Sequence, residues 1–504
     1  ADARYGEDTT ETLCSYHANE TIPTIPVLPM SYADATPLLE SLGGPLAPED
    51  FVGGIQGLEY TLGPSDAVVE VVVNNGDTVV TPIWNVVATI PGTLPEDVDQ
   101  PVLLGNHRDA WVFGAADPNS GTATLIEVAR GLGALLAQGW KPLRTIKLLS
   151  WSGEEYGLLG STGWGELNAA QLSRVAAYLN VDVAVSGEVL SVFATPALAT
   201  LWNGALDDLT DSAAAQPAAA AAPAIAGAQQ EQQQQQQAMP PLGVALKNGP
   251  HGKVGDSNTG RDLFAPPIAN VRERNGKLRS PRSSRRSRHH RADATGEEEE
   301  EDQTDVGTLG SGSDYTVFLD HLGIASLDFE FSPGDSPYGV YHSIYDSFDW
   351  IDRVGGAADA PGSSFEIMAA AARIWGVLAL RLGGNPLLPF DHDAETQALA
   401  GYLAQLEAHR IEGLDLAGLA EAIGAYGRAA QAVGAAVQGV DLEDEGAVNA
   451  LNERLSLTER RFLDEDGLPL RPWFKHTLQA PGLYLGYAAE AFPGVRQALD
   501  DGDL

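Results

Sequence analysis

Apolar runs alternate with helical patterns between residues 101 and 190. The short runs PVLLG, from Pro101, and TIKLLSWSG, from Thr145, predict buried strands. Between them, TATLIEVARGLGALLAQG repeats apolar residues at helical spacing, and VAAYLNVDVAV, from Val175, predicts another strand. Strands that alternate with helices favour an α/β fold with a mixed, mainly parallel sheet and helices on both faces.

Weaker patterns flank this core. Residues 32–42 carry a helix signal that ends at Gly43-Gly44, and the Val-rich stretches 67–73 and 78–87 predict buried strands. From Ser311, SGSDYTVFLDHLGIASLDFEF predicts a helix followed by a strand. Beyond Asp391 the chain is rich in Ala at helical spacing through Gly439, and another helix is expected over 449–463, which indicates a separate helical domain.

Residues 207–306 interrupt the α/β pattern. They contain an Ala/Pro tract, a Gln run at 232–237, an Arg/Ser stretch at 279–291 and an acidic run at 297–301. Such compositions bury too little apolar surface to fold, so we predict a disordered insertion. The Arg/Ser stretch could bind acidic partners, but a solvated tether neutralised by the adjacent acidic run is the favoured interpretation.

Composition narrows the possible functions. The 504-residue chain is 44% hydrophobic, as expected of a folded protein, and its net charge of −39 excludes a generic nucleic-acid binder. The single Cys14 excludes an intramolecular disulfide framework and a cysteine-based zinc site. The sequence contains no run of about 18 apolar residues, which a membrane-spanning helix would need. The sequon Asn19-Glu20-Thr21 is compatible with a secretory route.

Carboxylates and histidines follow successive predicted strands, and parallel strands bring their carboxyl ends to one edge. Zinc binds His nitrogen and carboxylate oxygen, and two zinc ions about 3.5–4 Å apart require one bridging carboxylate. A terminal His and a terminal carboxylate then remain for each ion. The chain offers five residues for these places: His107, Asp117, Glu155, Asp182 and His342. Glu154 is left over beside them, as a general base requires.

Longer segments carry a family resemblance. The stretches LLGNHRDAWVFGAADPNSG, GWKPLRTIKLLSWSGEEYGLLGSTGWGE, LNVDVAVSG and YHSIYDSFDWIDR closely resemble glutamate carboxypeptidase II and its relatives. These proteins belong to the di-zinc aminopeptidase superfamily, which also includes the transferrin receptor. The segments DEDGLPLRPWFKHTLQAPG and AFPG are similar to that family's helical dimerisation domain.

The resemblance implies a role for each candidate residue of a centre with two Zn²⁺ ions per chain. It makes Asp117 the bridging carboxylate, assigns His107 and Asp182 to one zinc, and assigns Glu155 and His342 to the other. Glu154 matches the general base in a hydrolysis of peptides by metal-activated water.

Further residues match groups around that centre. Asp109 of the HRD triplet resembles the carboxylate that orients His107, and Tyr341 resembles a tyrosine that stabilises the oxyanion. The resemblance also implies that Gly312, Ser313 and Tyr487 contact the substrate.

Several positions depart from the family pattern. Asp328 and Glu330 stand where glutamate-preferring members carry arginines, Val192 replaces another arginine, and Gly486 replaces a lysine beside Tyr487. A pocket with its charge reversed repels acidic dipeptides, so we expect an exopeptidase that is not strictly glutamate-specific. A structural calcium site is also weakened, because Gly163 replaces one Glu while Glu166 remains.

The expected organisation has three parts. Residues 1–80 are interpreted as the C-terminal remnant of a protease-associated apical domain, 81–390 as the di-zinc peptidase domain and 391–504 as a helical dimerisation domain. The resemblance implies a homodimer acting on peptides, membrane-anchored or in the secretory pathway, with any anchor preceding Ala1. Two alternatives stay open: a catalytically silent receptor-like scaffold, and an interaction protein that works through its low-complexity segments.

Overall fold

The structure, a computed structural model, describes residues 25–74, 81–215, 306–334, 338–355, 363–408 and 414–502. Chain contacts separate a unit of residues 1–213 and 304–504 from a unit of residues 214–303. The sheet and the helical region described below lie in the first unit. Residues 216–305, which hold most of the predicted insertion, and the sequon at 19–21 lie outside the described residues.

A six-stranded sheet forms the centre of the first unit, with strand order β1-β3-β2-β4-β6-β5. The four interior strands are mutually parallel, whereas the edge strands β1 and β5 are antiparallel to their neighbours. Its strands are β1 Val86–Ile90, β2 Val102–His107, β3 Ile146–Trp151, β4 Ala177–Asn180, β5 Val189–Ala194 and β6 Ser326–Ser332. This is the mixed, mainly parallel sheet that the sequence predicts.

Helices cover both faces of the sheet and continue into the C-terminal region. They are α1 Tyr32–Glu40, α2 Asn119–Ala137, α3 Leu159–Leu167, α4 Ala169–Leu172, α5 Ala199–Ala215, α6 Phe348–Arg353, α7 Ser363–Gly384, α8 His392–Glu407, α9 Ala417–Gly439, α10 Glu445–Leu457 and α11 Pro493–Asp501. Short 3₁₀ turns occupy Glu49–Phe51, Pro196–Leu198 and Glu459–Phe462, and a π-helix spans Val317–His321. A two-stranded sheet pairs β7 Gln479–Pro481 with β8 Ala489–Ala491.

Two apolar layers hold the sheet between these helices. On one face, α2 and α7 pack on strand residues that include Val102 and Leu104. On the other face, Tyr178 stacks on Phe318 of the π-helix with ring centroids 4.1 Å apart, and Trp151 packs beside them. Because both faces are covered, β2 is buried along its whole length, which explains its continuous apolar run.

Two predictions for the N-terminal part were wrong. Residues 67–73 form no strand, and Val68 is 96% exposed, since no neighbouring element covers the Val-rich stretch. Of the strand predicted over 78–87, residues 78–80 lie outside the described part, and the observed β1 begins at Val86 as a largely exposed edge strand. Helix α1 agrees with its prediction, whereas the assignment of 1–80 to an apical remnant stays a prediction.

The predicted start of the insertion, at residue 207, was also wrong. Helix α5 continues through Ala215, because its apolar residues Leu201, Trp202 and Ala205 pack into the core of the sheet and carry the following turns with them. The C-terminal helices agree with their predicted positions: α8 and α9 pack against each other, and α10 covers most of the helix expected near 449–463. Within the described residues, no helix combines the length and apolarity needed to cross a membrane.

Candidate metal centre and substrate cavity

The candidate metal ligands converge at the carboxyl edge of the parallel strands. His107 is the last residue of β2, Glu154 and Glu155 follow the end of β3, and Asp182 lies two residues beyond β4. Three of these loops meet because β3, β2 and β4 are adjacent in the sheet. Asp117 precedes α2, and His342 arrives from the loop after β6.

Asp117 lies between the two histidines. Its Oδ1 is 3.4 Å from Nε2 of His107, and its Oδ2 is 3.2 Å from Nε2 of His342. Asp182 Oδ1 lies 2.8 Å from the same His107 nitrogen, and Glu155 Oε2 lies 3.1 Å from the His342 nitrogen. Each histidine therefore faces one carboxylate of its own and one oxygen of a shared carboxylate.

The backbone holds both histidines in fixed orientations. Nδ1 of His107 lies 2.9 Å from the carbonyl oxygen of Asp109, which can only accept a hydrogen bond. Nδ1 therefore carries a hydrogen, and Nε2 faces the carboxylates of Asp117 and Asp182. Burial opposes a charge on the ring, but the charge of Asp182 raises the pKa of His107 well above 6.5. His342 has a φ of +54°, a left-handed conformation that is unfavourable for a non-glycine residue and concentrates at functional sites.

The Asp109 carboxylate has a different principal contact from the one expected. It lies 3.8 Å from Nδ1 of His107, whereas its two oxygens accept hydrogen bonds from the backbone N–H groups of Glu154 and Glu155 at 3.1 and 3.2 Å. Asp109 thus orients His107 through its carbonyl oxygen and holds the Glu154-Glu155 turn through its side chain.

The carboxylates shift each other's protonation. Burial, followed by the charge of Asp182, raises the pKa of Glu154 to about 10. Burial and the charge of Asp117 raise the pKa of Glu155 to about 7. Burial opposes ionisation of Asp117 too, but hydrogen bonds to the two histidines lower its pKa to about 2. So many acids in one place repel each other unless positive charge neutralises them.

The donor set fits zinc. Two groups of side chains each bring their ligand atoms within 4.8 Å of one another: His107 with Glu154 and Asp182, and Asp117 with Glu155 and His342. Histidine nitrogen and carboxylate oxygen are the ligand types that zinc prefers when cysteine is absent. Cationic ions would also neutralise the acidic cluster.

These groups open into a cavity of about 750 Å³. Tyr341 lines it with its ring stacked on His342 at a centroid distance of 3.6 Å, and Tyr487 lines it with 63% of its surface exposed. Gly312 also lines the wall, where an added Cβ would lie 3.7 Å from the Tyr487 side chain. All three predicted positions are accessible from the cavity.

Ser313 lines the cavity but has its hydroxyl engaged by the protein. The Oγ atom donates to Oδ2 of Asp182 at 2.6 Å and accepts from Nδ2 of Asn180 at 3.1 Å. This geometry makes Ser313 a support for a candidate metal ligand, whereas the resemblance implied a substrate contact.

Two supporting residues were missed at the level of sequence. Asp346, buried at 2% exposure, accepts hydrogen bonds from the backbone N–H groups of Ala116 and Asp117 at 2.7 and 3.0 Å and so positions the shared carboxylate. The side-chain amide of Asn180 donates hydrogen bonds to the hydroxyl of Ser313 and to the carboxylate of Asp328 on β6. The only local signal was that both residues lie within four positions of a candidate ligand.

The substituted positions separate into two groups. Asp328 and Glu330 of β6 line the same cavity as the candidate metal ligands. Val192 instead pairs with Phe329 and is 4% exposed, and Gly486 does not line the cavity. Glu166, the remaining acid of the expected calcium site, accepts a hydrogen bond of 2.8 Å from the indole nitrogen of Trp473, a residue of the cavity wall.

Two family models match segments of this chain. The model of Peptidase family M28 matches residues 85–241, and that of the transferrin receptor-like dimerisation domain matches residues 414–504. A structural match at 14% identity and a TM-score of 0.34 is a zinc aminopeptidase from Bacillus subtilis, over 60% of this chain and 50% of the other.

Curated relatives match over most of this chain. "Probable glutamate carboxypeptidase LAMP1" of Arabidopsis thaliana is 34% identical over 95% of the chain, and "Aminopeptidase NAALADL1" of Mus musculus is 29% identical over 96%. The chain spans 57% of the length of each of these relatives. The chain thus carries a segment that matches Peptidase family M28 followed by one that matches the transferrin receptor-like dimerisation domain, and over most of its length it is similar to proteins named as glutamate carboxypeptidases and as an aminopeptidase.

Proposed function

We propose that this protein is a di-zinc exopeptidase that hydrolyses peptides, with Glu154 as the general base. The observation that carries the proposal is the position of Asp117, whose two oxygens face Nε2 of His107 and Nε2 of His342 at 3.4 and 3.2 Å. A carboxylate shared between two histidine sites is the arrangement that a two-metal centre needs. The names of the relatives, which include both a carboxypeptidase and an aminopeptidase, support the class of reaction.

Five residues would hold the two ions. His107 and Asp182 would bind one, Glu155 and His342 the other, and Asp117 would bind both. When bound, zinc would polarise the scissile carbonyl and lower the pKa of water toward neutrality. The hydrogen bond from His107 Nδ1 to the Asp109 carbonyl keeps Nε2 free for such a role.

Glu154 is the carboxylate best placed to move protons. Its Oε2 lies 3.8 Å from His107 Nε2, so it is farther from that nitrogen than the oxygens of Asp182 and Asp117. The hydrogen bond from its backbone N–H to Asp109 fixes the turn that carries it. In hydrolysis, Glu154 would take a proton from the attacking water and return it to the leaving amine.

Tyr341 would assist at the carbonyl. Its ring stacks on the candidate ligand His342, and the residue lines the cavity into which the candidate metal groups open. A phenolic hydroxyl there can donate a hydrogen bond to the oxygen on which negative charge develops.

We also propose that the protein acts as a homodimer. The support is the transferrin receptor-like dimerisation segment at 414–504, which contains α9, α10 and α11. Size-exclusion chromatography with light scattering tests this directly, and a monomer at working concentrations contradicts it.

The test of the catalytic proposal combines metal content with turnover. Zinc-loaded protein should contain about two zinc ions per chain, and mass spectrometry of a digested peptide library should show residues removed from one terminus. Glu154→Gln should retain zinc and lose about 10²-fold to 10⁴-fold in kcat/KM, because general-base catalysis contributes that much. Glu188→Gln, the same change at an exposed position, is the matched control.

Two outcomes would contradict the proposal. A protein that binds no zinc, or one that binds zinc but cuts no peptide in the library, would be a scaffold that keeps the fold without turnover. Full activity in Glu154→Gln would leave hydrolysis possible but would remove Glu154 from the role of base.

A further inference from the structure

The β6 wall of the cavity carries two acids that the proposed catalytic chemistry does not use. Asp328 and Glu330 are two residues apart on the strand, so both side chains point to the same face. Both line the cavity together with the candidate metal groups. Sheet pairing fixes their positions, with Asp328 opposite Asn180 of β4 and Glu330 opposite Ser191 of β5.

Among the described residues that line the cavity there is no Lys or Arg. Asp328 Oδ1 accepts a hydrogen bond of 3.0 Å from the amide of Asn180, which is neutral. The carboxylate of Glu330 has no hydrogen bond to any described residue, and the negative charge of Asp182 acts on it.

An independent observation in the same cavity points to a ligand. The hydroxyl of Ser186 is buried, with the residue 3% exposed, and has no hydrogen-bond partner in the described part of the chain. The hydroxyl of Tyr338 is also buried and without a partner there. Both residues line the cavity, and the backbone N–H of Ser186 donates to the Phe331 carbonyl at 2.7 Å, which places it beside the end of β6.

Buried polar groups without partners are costly, so this part of the cavity is suited to a ligand that supplies hydrogen-bond donors and positive charge. A carboxylate ligand would add negative charge beside Asp328 and Glu330. An aliphatic ligand would leave the Ser186 and Tyr338 hydroxyls unsatisfied. An ammonium or guanidinium group meets both requirements, because it donates hydrogen bonds to carboxylate and hydroxyl oxygens alike.

We propose that Asp328 and Glu330, with the hydroxyls of Ser186 and Tyr338, form a subsite for a positively charged nitrogen group of the substrate. This inference rests on the proposed peptidase function and names its substrate class. The positive group can be the free α-ammonium of a peptide or the side chain of a Lys or Arg residue, and the two sources share the same chemistry.

The first test compares matched peptides with zinc-loaded, full-length protein. The residue at the terminus that the enzyme removes is Lys, norleucine or Glu. Each peptide is made in two forms, one with a free and one with an acetylated amino terminus. We expect a cationic peptide to exceed its uncharged counterpart in kcat/KM by about tenfold or more, with the Glu peptides cut least. A preference for Lys over norleucine identifies the side chain as the source, and a preference for free over acetylated termini identifies the α-ammonium.

Substitutions assign the preference to these residues. In Glu330→Gln and in Asp328→Asn, the ratio of kcat/KM between cationic and uncharged peptides should fall about tenfold toward one. Two variants are used because either could fail to fold, and zinc content reports on each. Glu188→Gln, an exposed acid just before β5, should keep the wild-type ratio. An unchanged ratio in both folded variants overturns the subsite.

A binding measurement separates this inference from the proposed function. Calorimetry with zinc-loaded Glu154→Gln protein compares a lysine peptide, its norleucine counterpart and their acetylated forms without requiring turnover. Preferred binding of the cationic peptide, together with a zinc-loaded wild-type protein that cuts no peptide, would sustain the subsite and overturn the peptidase. If the wild-type protein hydrolyses peptides but shows equal affinity and equal kcat/KM for charged and uncharged ones, the peptidase is sustained and the subsite is overturned.

Discussion

The hydroxyl of Ser313 donates a hydrogen bond of 2.6 Å to Oδ2 of Asp182. Because Asp182 Oδ1 lies 2.8 Å from Nε2 of His107, the carboxylate is held from behind while its other oxygen faces the candidate metal centre. The loop that begins at Gly310 thus supports the loop after β4, although about 130 residues separate them in the chain.

Removing this hydroxyl should weaken metal binding. We expect Ser313→Ala to lower zinc affinity by about tenfold to a hundredfold, because a ligand that is free to rotate binds metal less well. Competition with a chelator measures the affinity. Ser311→Ala, two residues away, is the control, and equal affinity in the two variants would show that Ser313 has no supporting role.

Replacing the shared carboxylate should affect both zinc ions. Asp117→Asn keeps the shape of the side chain but removes the negative charge between His107 and His342. We expect the zinc content after dialysis to fall from about two to one or fewer per chain, as measured by elemental analysis. The exposed Asp66→Asn should keep the full content. Two tightly held zinc ions in Asp117→Asn would rule out a bridging role.

A buried arginine should stabilise the junction between β3 and the end of α7. The guanidinium of Arg144 is fully buried and donates to the carbonyls of Leu382, Asn385 and Pro386 at 3.0, 2.6 and 3.0 Å. Arg144→Met leaves three carbonyls without donors, so we expect the free energy of unfolding to fall by about 3 kcal/mol. Urea unfolding followed by tryptophan fluorescence measures it. The exposed Lys141→Met should change it by less than about 0.5 kcal/mol.

A buried acid in the helical region should make stability depend on pH. Glu459 Oε1 lies 2.8 Å from Nε2 of His476, and both residues are nearly inaccessible. Burial, followed by the charge of Glu395, raises the pKa of Glu459 well above its ordinary value of 4.5. Burial lowers the pKa of His476 from 6.5 to about 4.

The pKa shifts of Glu459 and His476 change the stability in opposite directions with pH below pH 6.5, but not above it. Above pH 4.5 the folded state keeps a proton on Glu459 that the unfolded chain releases, so this contribution to stability falls as pH rises. The His476 contribution is lost in the other direction, as pH falls from 6.5 toward 4. Above pH 6.5 only the loss from Glu459 remains.

We therefore expect the stability of the wild-type protein to fall as pH rises above 6.5, by up to about 1.4 kcal/mol per pH unit, and its thermal midpoint to fall with it. Glu459→Gln is neutral in both states, so its decrease should be smaller. The exposed Glu421→Gln should behave like the wild type. Parallel curves for all three proteins would show that Glu459 is ionised in the folded state.

Short-range patterns were sufficient for much of the fold. Strands β2, β3 and β4 are apolar runs because both faces of the sheet are covered, and α2 carries its apolar residues at helical spacing. The same reasoning was wrong for 67–73, because a Val-rich run becomes a buried strand only where a neighbouring strand pairs with it. It was also wrong for 207–215, where the preceding turns of α5 pack into the core.

The sequence by itself determined which residues could bind metal, because His107, Asp117, Glu154, Glu155 and Asp182 lie within or just beyond recognisable elements. Only the tertiary structure decided how these groups face one another. It placed one oxygen of Asp117 toward each histidine, and it assigned the Ser313 hydroxyl to Asp182. The physical reason is that chemical type is local, whereas the direction of a side chain depends on contacts between distant parts of the chain.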